Sequence, residues 1–214
     1  MPAHPDPGAF IAQNLTLRPV PGLSGLSLYQ AHPASGLSRI ADGQGAAPYW
    51  AYQWAGGLGL AHYLRENPQV VQARRVLDLG AGSGIVGIIA ALSGAAQISA
   101  AETDAWAIHA IRLNAAANGV RIDLIDSDVT EAAHPLPQVD LVLAGDVFYA
   151  PSLAPQMLSF LERCADAGAQ VLIGDPGRPA LPRHRLCLLA NYPVHDMGDP
   201  PGTVTQAQVF RLQR

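Results

Sequence analysis

The stretch from Val76 to Gly84 reads VLDLGAGSG, and its residue types suit the binding of a nucleoside. A short apolar run ends in an acid, Asp78, and Gly80, Gly82 and Gly84 then alternate with small residues. Glycines in such a turn let the backbone approach a ligand without interference from Cβ. The apolar stretch that follows, IVGIIAALSGA, reads as a helix. Its first turn would offer unpaired N–H groups and a partial positive charge to a pyrophosphate or a carboxylate. A second strand, ISAAETD, again ends in acids. Glu102 could accept both ribose hydroxyls, with Asp104 as the N-cap of the next helix. Asp128 follows the third strand, where an adenine amino group would lie; an ordinary turn acid is the competing reading.

Gly82 to Gly87 also matches GxGxxG, so a dinucleotide must be weighed. In that fold the first glycine follows the strand directly, whereas here Asp78 and Gly80 come first. An acid is badly placed beside a pyrophosphate and well placed beside a sulfonium or an α-ammonium. The loop therefore favours S-adenosylmethionine over NAD.

Composition narrows the chemistry further. The chain has 214 residues, 49% hydrophobic and 14% charged, which suits one well-filled core. The net charge of −4 weighs against a nucleic-acid partner. All 13 basic residues are arginine. A P-loop lysine, a Schiff-base lysine and a lysine nucleophile are thereby excluded. The histidines are scattered and the two cysteines, Cys164 and Cys187, lie far apart, so no metal site is expected. No apolar run is long enough to span a bilayer, and MPAHPDPGAF lacks the features of a signal peptide. A cytoplasmic monomer with reduced thiols, and with neither nucleic acid nor membrane as partner, is the expectation.

The elements that must position these residues alternate regularly. Strands are expected at Val76–Leu79, Gln97–Ala101, Ile122–Ile125, Asp140–Ala144 and Gln170–Ile173, with helices at 57–65, 85–93, 105–118 and 154–167. A further helix is expected around Arg183–Ala190, then a closing hairpin from short strands near Val194 and at Thr205–Leu212. Residues 1–48, rich in Pro, Gly and Ser, read as an extension with one or two β segments in FIAQNLTLRPV and GLSLYQA. Residues 49–214 would form the main domain. Such alternation predicts an α/β, Rossmann-like seven-stranded sheet, mostly parallel, with a C-terminal antiparallel hairpin and helices on both faces.

The order VLDLGAGSG, AAETD, DLVLAGDVFY resembles the seven-β-strand class I methyltransferases. Within that class, Asp146-Val147-Phe148-Tyr149 resembles the DxxY motif of protein-lysine methyltransferases. With PYWAYQWAGG upstream and VLIGDPGRP downstream, the chain is similar to the electron transfer flavoprotein β-subunit lysine methyltransferases over most of residues 10–180. The resemblance implies cofactor contacts at Trp54, Gly80, Gly82, Glu102 and Asp128, and a target-lysine slot bordered by Asp146 and Tyr149. Other methyltransferase substrates, a ribosomal protein or a small amine, remain open, and a NAD-binding reductase is the reading outside this class.

A lysine has a reference pKa of about 10.4, so at pH 7.4 only about one in a thousand is a neutral nucleophile. Asp146 reads as a positioning acceptor, because a carboxylate would raise that pKa; the proton would leave to solvent before transfer. Phe148 could wall the slot against a cationic amine or be core. Asp175 could contact substrate or shape a turn with Pro176 and Gly177. Arg178 could pair with Asp175 or with a substrate acid. Trp50 reads as packing and Trp54 as cofactor cover.

Overall fold

The computed structural model describes residues 6–40, 48–197, 200 and 202–213. Residues 1–5 and 41–47 of the expected extension lie outside the described residues.

A first layer precedes the main sheet. It holds helix α1 (Pro7–Asn14) and an antiparallel pair, β1 (Thr16–Pro19) and β2 (Ser27–Gln30). The sequence expectation had FIAQN as part of a β segment; it is helical instead. Asp6 caps α1 by accepting from the Ala9 N–H at 2.7 Å, and Pro7 fixes φ at the first helical position.

The main sheet contains β3 (Arg75–Leu79), β4 (Gln97–Ala101), β5 (Asp123–Ile125), β6 (Leu141–Gly145), β7 (Gln170–Asp175), β8 (Leu186–Val194) and β9 (Thr205–Leu212). Their order across the sheet is β5-β4-β3-β6-β7-β9-β8. The first five pair in parallel; β9 runs antiparallel between β7 and β8. This is the expected seven-stranded sheet, mostly parallel, with its C-terminal antiparallel hairpin. Helices α2 (Ala55–Glu66), α3 (Ile85–Leu92), α4 (Ala105–Ala117) and α5 (Ala154–Asp166) flank it. Strand side chains alternate between two cores: Val76, Leu141 and Leu143 pack with α2 and α3, whereas Leu77, Val142 and Ala144 pack with α5. Burial on both faces explains the near-continuous apolar runs of the central strands.

The expected helix at 183–190 is a correction. Only Arg183–Arg185 makes a 3-10 turn, and β8 begins at Leu186. The apolar spacing of LCLLA fits either period, and pairing decides it: β8 matches β9 from Leu186 opposite Leu212 to Val194 opposite Thr205. Pro193 is tolerated because β8 is an edge strand. Among the described residues no helix is long and apolar enough to cross a membrane.

The first layer rests on α4 through two asparagines. Asn118 accepts from Ser27 N–H and donates to its carbonyl, at 2.9 and 2.6 Å. Asn114, fully buried, accepts from Tyr29 N–H at 2.8 Å and donates to the Ser83 carbonyl at 2.8 Å. One side chain thus ties the N-terminal pair to the glycine loop.

Candidate active site

Strand order reverses between β3 and β6, and ligands of open α/β sheets bind outside the strand C-termini at such a point. A cavity of about 630 Å³ lies there. It is lined from the ends of β3, β4 and β6, from the turns after β5 and β7, and from the first turns of α2 and α3.

At one end the chain leaves β3 through Asp78 and the glycine loop. Gly80, Gly82 and Gly84 have φ of +64°, +54° and +79°, so the alternation of glycines is a backbone requirement. Both Gly80 and Ala81 N–H groups donate to the Ala101 carbonyl, locking the loop to β4. Asp78 is 1% exposed and accepts from Gly87 N–H at 2.8 Å. Burial pushes its carboxyl up to about 7, and nearby Glu102 adds to the shift.

Glu102 closes β4 as expected, and Asp104 caps α4 by accepting from Trp106 N–H at 2.7 Å. The glutamate oxygens are unequally committed. Oε1 accepts from Tyr49 O–H at 3.0 Å, Thr103 N–H at 2.8 Å and Asp104 N–H at 3.1 Å; Oε2 accepts from Gly82 N–H at 2.9 Å. A carboxylate has about four acceptor sites, so Oε2 retains the free capacity. Burial and Glu102 together push the Tyr49 hydroxyl well above the ordinary tyrosine range, so it remains a donor.

Asp128 lines the cavity wall and is the centre of a local turn. Its Oδ1 accepts from Thr130 N–H at 2.9 Å and from the Thr130 hydroxyl, and its Oδ2 accepts from Gln156 at 3.2 Å.

The upstream motif divides its aromatics. Trp50 is buried and stacks on Trp106 at 6.2 Å between ring centroids. Tyr49, Tyr52 and Trp54 line the cavity, with Trp54 Nε1 donating to the Tyr49 carbonyl at 2.9 Å.

The other end is built on Asp146, a non-glycine residue at φ +60°. Aspartate tolerates this region better than most residues. Its Oδ2 accepts from Gly57 N–H at 2.7 Å in the first turn of α2, and its Oδ1 pairs with Arg178. Burial pushes the Asp146 carboxyl up, while the guanidinium and the helix N–H groups pull it down. Asp175 is completely buried; its Oδ1 accepts from the Gly177 and Arg178 N–H groups at 2.6 and 2.7 Å, and its Oδ2 faces Arg178 Nη1 at 3.2 Å. Tyr149 stands 65% exposed at the cavity mouth.

Two expected substrate contacts are displaced. Phe148 is wholly buried with Phe160 and Leu161 in the core under α5, so it cannot wall a slot. Asp175 does not line the cavity; it shapes the turn, with Gly177 at φ +97°, and holds Arg178. Tyr49 and Tyr52 were missed. PYWAYQW carries four aromatics, and spacing alone does not tell which face inward.

Among the described residues, the cavity lining has four carboxylates, Asp78, Glu102, Asp128 and Asp146, and one cation, Arg178. Such a lining suits a ligand with positive charge at more than one point. Among the described residues there is also no cluster of three or more His, Cys, Asp or Glu able to hold a metal.

Residues 45–181 match the family model described as lysine methyltransferase. The electron transfer flavoprotein beta subunit lysine methyltransferase of Rattus norvegicus is 40% identical over 168 residues, covering 75% of this chain and 65% of that protein. Its Homo sapiens counterpart is 40% identical over 141 residues, 65% of this chain and 53% of that protein. The chain thus spans between half and two thirds of these relatives' lengths. A ribosomal protein methylase from Lactobacillus delbrueckii subsp. bulgaricus superposes with a TM-score of 0.50 at 20% identity, covering 72% of this chain and 77% of that one. TrmN from Thermus thermophilus gives 0.53 at 22%, covering 71% and 48%. At these identities the structures speak to the fold.

Proposed function

The chain belongs to the lysine methyltransferase family, and from that premise we propose that it is an S-adenosylmethionine-dependent protein-lysine N-methyltransferase whose substrate is the electron transfer flavoprotein β subunit. The substrate follows the names of the relatives that it matches. One observation carries the reading: a single cavity joins the Asp78–Glu102 end to the Asp146–Tyr149 end.

The residues present fit the cofactor. Asp78 is a desolvated carboxyl at the cavity with one backbone donor, a setting that a cationic partner would stabilise in its charged form. The first turn of α3, where Ile85 and Val86 line the cavity, offers N–H groups to a carboxylate. Glu102 Oε2 can take a ribose hydroxyl, Asp128 an amino group, and Trp54 can cover the ligand. When bound, S-adenosylmethionine supplies an electrophilic methyl group on a sulfonium and leaves as S-adenosylhomocysteine.

The chain's own residues do the positioning. Asp146, fixed from both sides, accepts from the amine of the target lysine and holds it in line. Tyr149 offers an aromatic face at the mouth to the cationic chain. Alignment of the amine with the methyl group is the main contribution of the enzyme. We place this activity in the cytoplasm, in keeping with the two free thiols, Cys164 and Cys187.

Calorimetry with S-adenosylhomocysteine and with NAD tests the cofactor. Binding of the former supports the reading; binding of NAD alone would sink it.

A further inference from the structure

Asp146, Asp175 and Arg178 form a three-membered ion cluster at the lysine end of the cavity. Its members come from the ends of two adjacent strands and the turn between β7 and the following segment. Arg178 is 19% exposed by its side chain and lines the cavity; Asp175 is fully buried behind it. Asp175 holds the Arg178 backbone N–H as well as its guanidinium, so the cation is fixed in place.

This arrangement resolves a conflict in the chemistry. An acceptor is needed to position the lysine nitrogen, yet a bare carboxylate favours the ammonium form, which has no lone pair to attack with. We propose that Arg178 is a positioning residue that offsets the charge Asp146 presents to the incoming lysine, so that the amine is held by Asp146 yet still releases its proton to solvent. The inference rests on the lysine-methyltransferase reading above.

Other groups around the cluster do not replace this role. Tyr149 at the mouth offers a hydroxyl and no cation, and the far end is lined by two further carboxyl groups, Asp78 and Glu102. Arg183 Nη2 reaches the Gly177 carbonyl at 3.4 Å but does not line the cavity. Asp196 accepts from Ala55 N–H at 2.9 Å on α2 and is likewise outside the lining. Without Arg178 the cluster would present two uncompensated carboxylates.

The test is the pH dependence of kcat for methylation of the flavoprotein β subunit by wild type, Arg178→Gln and Arg178→Lys, at saturating methyl donor. The pH profile of kcat reports groups in the bound complex. For Arg178→Gln the acid limb should move up by about one pH unit, with kcat recovering at high pH and KM unchanged or lower. Arg178→Lys, which keeps the charge, should stay near the wild-type midpoint. Calorimetric affinity for S-adenosylhomocysteine should be the same in all three proteins. An Arg178→Gln enzyme that loses the same fraction of kcat at every pH overturns the inference and leaves the methyltransferase reading intact. A wild-type protein that methylates no lysine overturns both.

Discussion

Gly56 and Gly174 meet backbone to backbone. A Cβ on Gly56 would lie 2.2 Å from the Gly174 carbonyl oxygen, and one on Gly174 would lie 2.1 Å from the Gly56 carbonyl oxygen. Gly145 approaches Gly57 in the same way, with its added Cβ at 3.0 Å. The first turn of α2 therefore sits directly on the ends of β6 and β7, and this contact brings Gly57 N–H within 2.7 Å of Asp146. The glycines of WAGG, LAGD and LIGD are one packing solution.

Gly174→Ala should accordingly destabilise the protein by about 1–3 kcal/mol, the usual cost of overpacking. It should also weaken methylation, because α2 would be pushed off Asp146. Denaturant titration and initial rates check both.

Asp146→Asn keeps a residue that tolerates φ +60° but removes the charge that pairs with Arg178. Methylation should fall by about a hundredfold or more, the range for losing an oriented catalytic contact. Affinity for S-adenosylhomocysteine, measured by calorimetry, should change little.

Asp78 has a folded pKa of about 7, above the unfolded value of about 3.9. The native state therefore binds more protons than the unfolded state between these values. Stability from this group is full below about pH 4 and is lost as pH rises to 7, at up to about 1.4 kcal/mol per unit. Asp78→Asn should make the ligand-free protein more stable than wild type at pH 8 and erase that part of the slope. It should also weaken S-adenosylhomocysteine binding, and in the wild type that binding should weaken as pH falls below about 7. Equal binding by wild type and Asp78→Asn at pH 8 would contradict the pairing of Asp78 with a positive charge on the ligand.

Glu102 should be more sensitive than its tyrosine partner. Glu102→Gln replaces a charged acceptor and should weaken S-adenosylhomocysteine by about tenfold or more. Tyr49→Phe leaves Thr103 and Asp104 N–H groups holding Oε1, and its affinity should stay within about threefold of wild type.

The strand–helix alternation and the glycine loop were legible because each element carries its own local signals. The Asp104 cap and the turn at Gly177 follow from single residues. The Asp6-Pro7 start of α1 carries the same kind of signal, whereas the sequence reading rests on the apolar alternation farther along. β8 could not be read locally, because its conformation comes from pairing with β9. Side-chain direction was the other limit. Phe148 and Tyr149 are neighbours in a motif, yet one is fully buried and the other 65% exposed. The Arg178–Asp146 pair joins residues 32 positions apart, beyond any local spacing rule.

On the proposed reading, this cavity methylates lysine on a protein. Purified electron transfer flavoprotein incubated with methyl-labelled S-adenosylmethionine and this protein, followed by peptide mapping, tests it most directly. Label should appear on lysine side chains of the β subunit and be lost with Asp146→Asn. Label on another residue type, or label that persists undiminished with Asp146→Asn, would contradict it.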